Sequence, residues 1–299
     1  MLNGRNKVIV RVLGGLGNQL FCYAAARRLA LVNNVDLVID DVSGFVRDFQ
    51  YNRQYQLDHF CIPCRTSTAF ERMEPFSLVR RYLKRTWNDR LSYSKRSYLH
   101  QKGIVFDERL LDVKIKGTFY IEGYWQSEEY FKDVEYTLRK DLQIIPPTDY
   151  ANLDYAKQIQ NCRAVAVHFR FFDDPHSNSI YNAQCDYYTR AIEAMESIEP
   201  AAHYFIFSDQ PQAVRARIPL SDSRVTLVAH NKGDEKAYAD LWLMTHCQHF
   251  IIANSTFSWW GAWLSGFKGK HVIAPGFEIL QGKAAWGFNG LLPNEWIKI

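Results

Sequence analysis

The chain has 299 residues, with 36 Lys and Arg against 32 Asp and Glu for a formal charge of +4, and 47% of it is apolar. So much apolar material excludes disorder, because it can offset the entropy of ordering, and the length suits two domains or one large one. The small net charge gives no footing for a nucleic-acid partner, and no apolar run approaches the ~18 residues of a membrane span.

The chain opens MLNGRNKVIVRV, where Lys7 and Arg11 interrupt the apolar stretch and no small-residue cleavage pattern follows; this reads as a first strand, not a secretory leader. The β-branched run 7–13 ends in Gly14-Gly15-Leu16-Gly17. Asn18 is expected to cap a helix with Leu20, Phe21, Ala24, Ala25, Arg28 and Leu29 at helical spacing. Residues 35–39 read as a second buried strand. Cys61 and Cys64 form one CxxC with no second pair, and Cys22, Cys162, Cys185 and Cys247 are scattered singly, so structural thiols in a reducing cytoplasm are expected. Between 61 and 102 the pattern is less regular, with one helix that puts Phe76, Val79, Leu83 and Trp87 on a single face. Residues 118–124 alternate like a strand, and Ser127 is expected to cap a helix running to about Leu142.

Pro146-Pro147 cannot continue a helix and suits a joint, dividing the chain into domains 1–147 and 148–299. Beyond it, strands are expected at 164–168, 203–207, 225–228, 250–253 and 271–274, and helices at 186–197, 234–247 and 256–264. Strands alternating with helices imply parallel sheets, hence an α/β protein of two doubly wound Rossmann-type domains facing a cleft.

In such sheets ligands bind beyond the carboxyl ends of the strands. Four places qualify. Gly14 to Gln19 offers backbone N–H groups at a helix start, where an anion can sit, or is simply a tight strand-to-helix turn; it is neither GxGxxG nor a Walker loop. His168 and Arg170 leave the 164–168 strand two residues apart, so they point the same way, and a guanidinium there can grip a diphosphate. Asp173 and Asp174 follow them, in what also reads as a solvated loop. Ser208-Asp209 ends the 203–207 strand, where a carboxylate can accept the N1–H and amine of a guanine, or can merely form a turn before Pro211. Asn254, Ser255, Thr256 and Phe257 begin a helix with hydroxyls and free N–H groups suited to phosphate, while Trp259, Trp260 and Trp263 read as packing. Together these describe a site for a nucleoside diphosphate whose leaving charge is neutralised by arginine and helix-end donors, with no metal and no cofactor expected. Asp40-Asp41 and Asp173-Asp174 are the nearest approach to a metal-binding acid pair.

At these residues the chain resembles the bacterial alpha-1,2-fucosyltransferase family, inverting enzymes that use GDP-fucose. The resemblance runs from 10 to about 276 and is carried by GGLGNQLFCYAAARRLA, GYWQSEEYF at 123–131, FSD at 207–209 and ADLWLMTHCQHFIIANSTFSWWGAWLS at 239–265. It implies a GT-B fold with the acceptor on the first half and the donor on the second. Arg170 would bind the GDP pyrophosphate, His168 would place the donor, Asp209 would meet guanine, and Ser255 and Thr256 would take phosphate oxygens. Asn18, with Gly15, Gly17 and Gln19, would reach the donor from the first half. The family pattern His-x-Arg-Arg-Gly-Asp reads His168-Phe169-Arg170-Phe171-Phe172-Asp173 here, so one positive charge is missing; Arg170 suffices, or Arg11 or Lys232 compensates.

The activity so implied is transfer of L-fucose to the 2-hydroxyl of a terminal galactose, of the kind that builds O-antigen or lipopolysaccharide. A different donor sugar or a protein acceptor is the alternative. Asp173 and Asp174 are the candidates for the general base near the attacking hydroxyl, though the sequence does not single one out. Residues 80–102 hold Arg80, Arg81, Lys84, Arg85, Arg90, Lys95, Arg96 and Lys102 against the single acid Asp89. Such a face is either an ordinary solvated surface or one that rests on an anionic bilayer, which would suit a lipid-linked acceptor at the inner side of the membrane. An oxidoreductase would need GxGxxG with an acid ~20 residues on, and neither the spacing of the glycines nor the rest of the chain supplies that fingerprint.

Overall fold

The computed structural model describes residues 6–172, 179, 181–282 and 284–299. Two compact units emerge: Met1–Gln143 with Asn289–Leu291, and Ile144–Phe288 with Leu292–Ile299.

In the first unit, β1 (Lys7–Arg11) is followed by α1 (Leu16–Val32), β2 (Asp36–Asp40), β3 (Arg65–Thr66), α2 (Ser77–Asp89), β4 (Tyr98–His100), β5 (Thr118–Glu122) and α3 (Glu135–Asp141). The strands pair in parallel in the order β3-β2-β1-β5-β4. Val8, Ile9 and Val10 are buried because β1 is central and covered on both faces, which is why a continuous apolar run stands there in place of an alternating one. Leu20, Phe21, Ala24, Ala25 and Leu29 of α1 are buried as their spacing requires. β1 lies at the centre, and β5 is its neighbour on the side away from β2.

Two local expectations change. Gly15, not Asn18, is the N-cap of α1; Asn18 lies inside its first turn and uses its side chain elsewhere. Ser127 caps only a short 3₁₀ turn, accepting from the Glu129 N–H at 3.2 Å, and the α-helix begins later at Glu135. The helix expected between 61 and 102 is α2, and the face with Phe76, Val79, Leu83 and Trp87 is exposed to solvent, while Arg81 and Asn88 are its buried residues.

In the second unit come α4 (Tyr150–Gln160), β6 (Ala164–Phe169), α5 (Cys185–Ile198), β7 (His203–Ser208), β8 (Val225–Val228), α6 (Ala237–Thr245), β9 (His249–Ile251), α7 (Thr256–Leu264), β10 (Val272–Ala274) and β11 (Ile297–Lys298). Asp149, just past the two prolines, caps α4 by accepting from the Asn152 N–H at 3.0 Å. The sheet is again parallel, in the order β11-β10-β9-β6-β7-β8, and β6 is buried along its whole length. Here the winding reverses between β6 and β9. All six cysteines are unpaired, and among the described residues no helix is long and apolar enough to cross a membrane.

Candidate active site

The reversal between β6 and β9 separates the loops that leave these two strands, which is where an α/β sheet offers a crevice. His168 and Arg170 leave β6 there; Asn254 and the N-terminus of α7 follow β9. Alternation along β6 sends Phe169 to the opposite face, where its ring stacks on Tyr188 with centroids 3.7 Å apart, and Tyr188 donates its hydroxyl proton to the His168 carbonyl at 3.0 Å. That clamp sets the direction of His168 and Arg170. The His168 ring lies 5.3 Å from that of Phe257 in the first turn of α7.

Arg170 and Asp209, predicted to meet different parts of a ligand, are joined: Arg170 Nη1 lies 2.8 Å from Asp209 Oδ2, with side-chain exposures of 26% and 27%. The second oxygen of Asp209 accepts from the Phe171 N–H at 3.2 Å. Asp209 therefore holds the guanidinium and the backbone beside it. Ser208 turns its hydroxyl back onto the Gln210 N–H at 3.0 Å.

The two rings standing where the family has Arg and Gly each carry an arginine. Arg170 lies over Phe172 at 5.4 Å and Arg217 over Phe171 at 5.0 Å from the ring centroids. Arg217 carries no sequence signal, since it comes from a 3₁₀ turn beyond β7. Arg11 has other duties, bound to Glu122 at 2.5 Å and to Ser43. Lys232 is exposed in the loop after β8.

Around this crevice, buried polar atoms stand without partners: His168 Nδ1, Asn182 Nδ2 and Asn254 Oδ1. Each side chain is otherwise fixed. Asn182 accepts from the Phe172 N–H at 2.7 Å, and Asn254 donates to the Tyr181 carbonyl at 2.8 Å. Buried polar groups left open in this way are what an incoming polar ligand satisfies. Asn182 was not foreseen, and nothing in its neighbourhood of sequence marks it. Ser255 is the N-cap of α7, accepting from the Phe257 N–H at 3.3 Å, and Thr256 and Phe257 are the half-buried first residues of the helix. Asp173 and Asp174 lie outside the described residues.

Burial, and next to it the charge of Arg170, lowers the pKa of His168 to about 3, so its imidazole is neutral at physiological pH. The unfolded chain, with a pKa near 6.5, takes up this proton first on acidification, so the stability tied to a neutral His168 is lost as pH falls from about 6.5 toward 3. Unfolding free energies from urea titrations between pH 7 and 5 should fall more steeply for the native chain than for His168→Asn, by up to about 1.4 kcal/mol per pH unit.

In the first unit the loop between β1 and α1 leaves the carboxyl end of the central strand. Gly14 adopts φ +79, and a Cβ there would stand 3.0 Å from Asn18 and 3.2 Å from Tyr124. Asn18 Oδ1 accepts from Gln126 Nε2 at 2.8 Å, which ties the first glycine-rich motif to GYWQ. Arg53 lies over Gly15, 3.6 Å from where a Cβ would be, and Gly17 is buried in the first turn. Gln19 is a strut and leaves the candidate set: it is fully buried, its Nε2 donates to the Gly14 and Gln54 carbonyls at 2.9 and 2.8 Å, and its Oε1 accepts from the Gln56 N–H at 2.9 Å. A cavity of about 480 Å³ opens beside the carboxyl end of β4, lined by Tyr93, His100 and Trp125 among others. Tyr93 Oη, His100 Nδ1 and Trp125 Nε1 are buried there without partners. Among the described residues no group of three or more His, Cys, Asp or Glu is placed to hold a metal ion.

The model of glycosyl transferase family 11 matches residues 7–285. The chain belongs to that family. It is 29% identical over 283 residues to the O-antigen biosynthesis glycosyltransferase WbnK of Escherichia coli, covering 88% of this chain and 91% of that one. It is 27% identical over 302 residues to an alpha-1,2-colitosyltransferase of Escherichia coli, covering 98% of both. Among solved structures, a mutant of Arabidopsis thaliana FUT1 in complex with GDP superposes with a TM-score of 0.51 at 13% identity, covering 90% of this chain and 70% of that one. The architecture is thus that of the GT-B-like fucosyltransferases, with two parallel α/β units, and the protein is a glycosyltransferase.

Proposed function

We propose that this family 11 enzyme transfers L-fucose from GDP-fucose to the 2-hydroxyl of a terminal galactose, with inversion. The observation that carries the reading is the meeting of Arg170, His168, Asn254 and the start of α7 at the strand ends of one reversal point, with polar atoms buried and open. In this scheme the galactose oxygen bonds to the anomeric carbon as the bond from that carbon to the GDP oxygen breaks. The electron pair leaves on the diphosphate, and the proton of the attacking hydroxyl passes to a general base. Arg170, held by Asp209, meets the departing charge together with the N–H groups of α7, so its benefit is largest in the transition state. His168, neutral, serves as a hydrogen-bonding group and not as a second cation. Asp209 completes the donor site from the end of β7, and the first unit, to which Asn18 belongs, takes the acceptor; the cavity beside β4, with its aromatic and polar lining, suits a sugar ring. We further assign to Arg217 the second positive charge absent at Phe171, and place the enzyme on the cytoplasmic side of a membrane, where a lipid-linked acceptor is presented.

GDP release from GDP-fucose should require a galactoside, and the product should carry an alpha-1,2 linkage by NMR. Release that ignores the acceptor, or another linkage, overturns the reading. The similarity to an alpha-1,2-colitosyltransferase favours one alternative, the same linkage made with a different deoxy sugar, which a screen of GDP-sugars separates. Arg217→Ala should lower kcat/KM about 10-fold, the scale of one partly exposed charge-assisted contact, and Phe171→Arg in that background should restore most of it.

A further inference from the structure

α2 is amphipathic in the inverse sense to a packed helix. Its inward side is polar: Arg81, buried, reaches Asp40 at 3.6 Å, and Asn88 Oδ1 accepts from the Ser97 and Tyr98 N–H groups at 2.7 and 3.1 Å. Its outward side is apolar. Phe76 is 77% exposed, Val79 58%, Leu83 60% and Trp87 64%, and Phe70 in the preceding turn is 84% exposed. Steps of three and four residues stack Phe76, Val79, Leu83 and Trp87 into one ridge on the side of the helix away from Arg81 and Asn88. A soluble helix does not normally leave such a stripe to water.

The surroundings of the ridge say what covers it. Arg80 and Arg90 flank it, Lys95 lies just beyond, and none of the three makes an ion pair among the described residues; Asp89 is already shared by Arg96 and Lys102. A second copy of this chain would bring two such basic rims face to face in a two-fold contact, which like charges oppose. A convex apolar ridge rimmed by cations fits a flat anionic surface with an apolar interior.

We propose that α2 forms the docking ridge of this protein for an acidic phospholipid bilayer, with Phe76, Leu83 and Trp87 entering the interface and Arg80, Arg90 and Lys95 meeting the headgroups. This deepens the membrane placement proposed above, and its readout does not depend on the sugar chemistry. The native protein should co-sediment with phosphatidylglycerol-containing vesicles and bind neutral phosphatidylcholine vesicles about 100-fold more weakly, as three surface cations imply. Leu83→Ser with Trp87→Ser should weaken binding to the acidic vesicles at least ~10-fold. Arg80→Glu with Arg90→Glu should weaken it independently, and both pairs should retain the native circular dichroism and native GDP release with a short soluble galactoside. Absence of GDP release with vesicle binding intact would count against the proposed reaction alone. Native protein that stays in the supernatant, variants that bind as the native chain does, or a lipid-free dimer dissolved by the Leu83 and Trp87 changes would overturn the ridge.

Discussion

Arg170→Ala should lower kcat about 10²- to 10³-fold with GDP-fucose and a galactoside, while the midpoint of the unfolding transition moves by no more than ~2 °C, at ~1 °C per 0.6 kcal/mol of change. The size follows from the position of the guanidinium. At the end of β6 it is anchored on Asp209 and about a quarter exposed, and in the proposed mechanism it meets the charge that gathers on the leaving diphosphate. Removing an exposed ion pair costs the fold little, at most about 1 kcal/mol, so stability and turnover should separate. Arg170→Lys should recover only part of the loss, because an ammonium cannot hold Asp209 and a phosphate with two parallel bonds. Near-native turnover in the alanine variant, read as GDP released per enzyme, would remove Arg170 from the reaction and with it the proposed mechanism.

The second large effect lies away from the chemistry. Trp259→Ala should destabilise the protein by about 3–5 kcal/mol in denaturant unfolding, the cost of deleting a large core aromatic. Trp259 is fully buried on α7, with its ring centroid 5.0 Å from Trp260, 6.3 Å from Trp263 and 5.5 Å from Trp296. The same helix presents Ser255 and Thr256 at its start, so the cluster that seats α7 on its sheet also seats these N-terminal groups. A Trp259→Ala protein of native stability but lost activity would show instead that the ring meets ligand, which full burial argues against.

The strands that matter most were readable because their environment is simple. β1 and β6 are covered on both faces, so burial alone dictates continuous apolar runs, and Gly14 and Arg170 stand where the chain has left the sheet. The NSTFSWW block was readable for a similar reason: a capping serine followed by close-packed tryptophans is a local pattern. For α2 periodicity reports that the helix has two faces but not which one turns inward; Asp40, on another strand, chooses Arg81 for the interior.

From its residues alone this chain determined two parallel α/β layers and the strand ends from which His168, Arg170, Asp209 and Asn254 depart, since these depend on short-range pattern and on burial. Strand order decided the rest. Placing β7 beside β6 joins Asp209 to Arg170, placing β5 beside β1 joins Gln126 to Asn18, and the turn after β7 lays Arg217 on Phe171. Such pairs form only after the backbone hydrogen bonds of the sheet have brought distant segments to within a few ångströms, and no local propensity encodes that step.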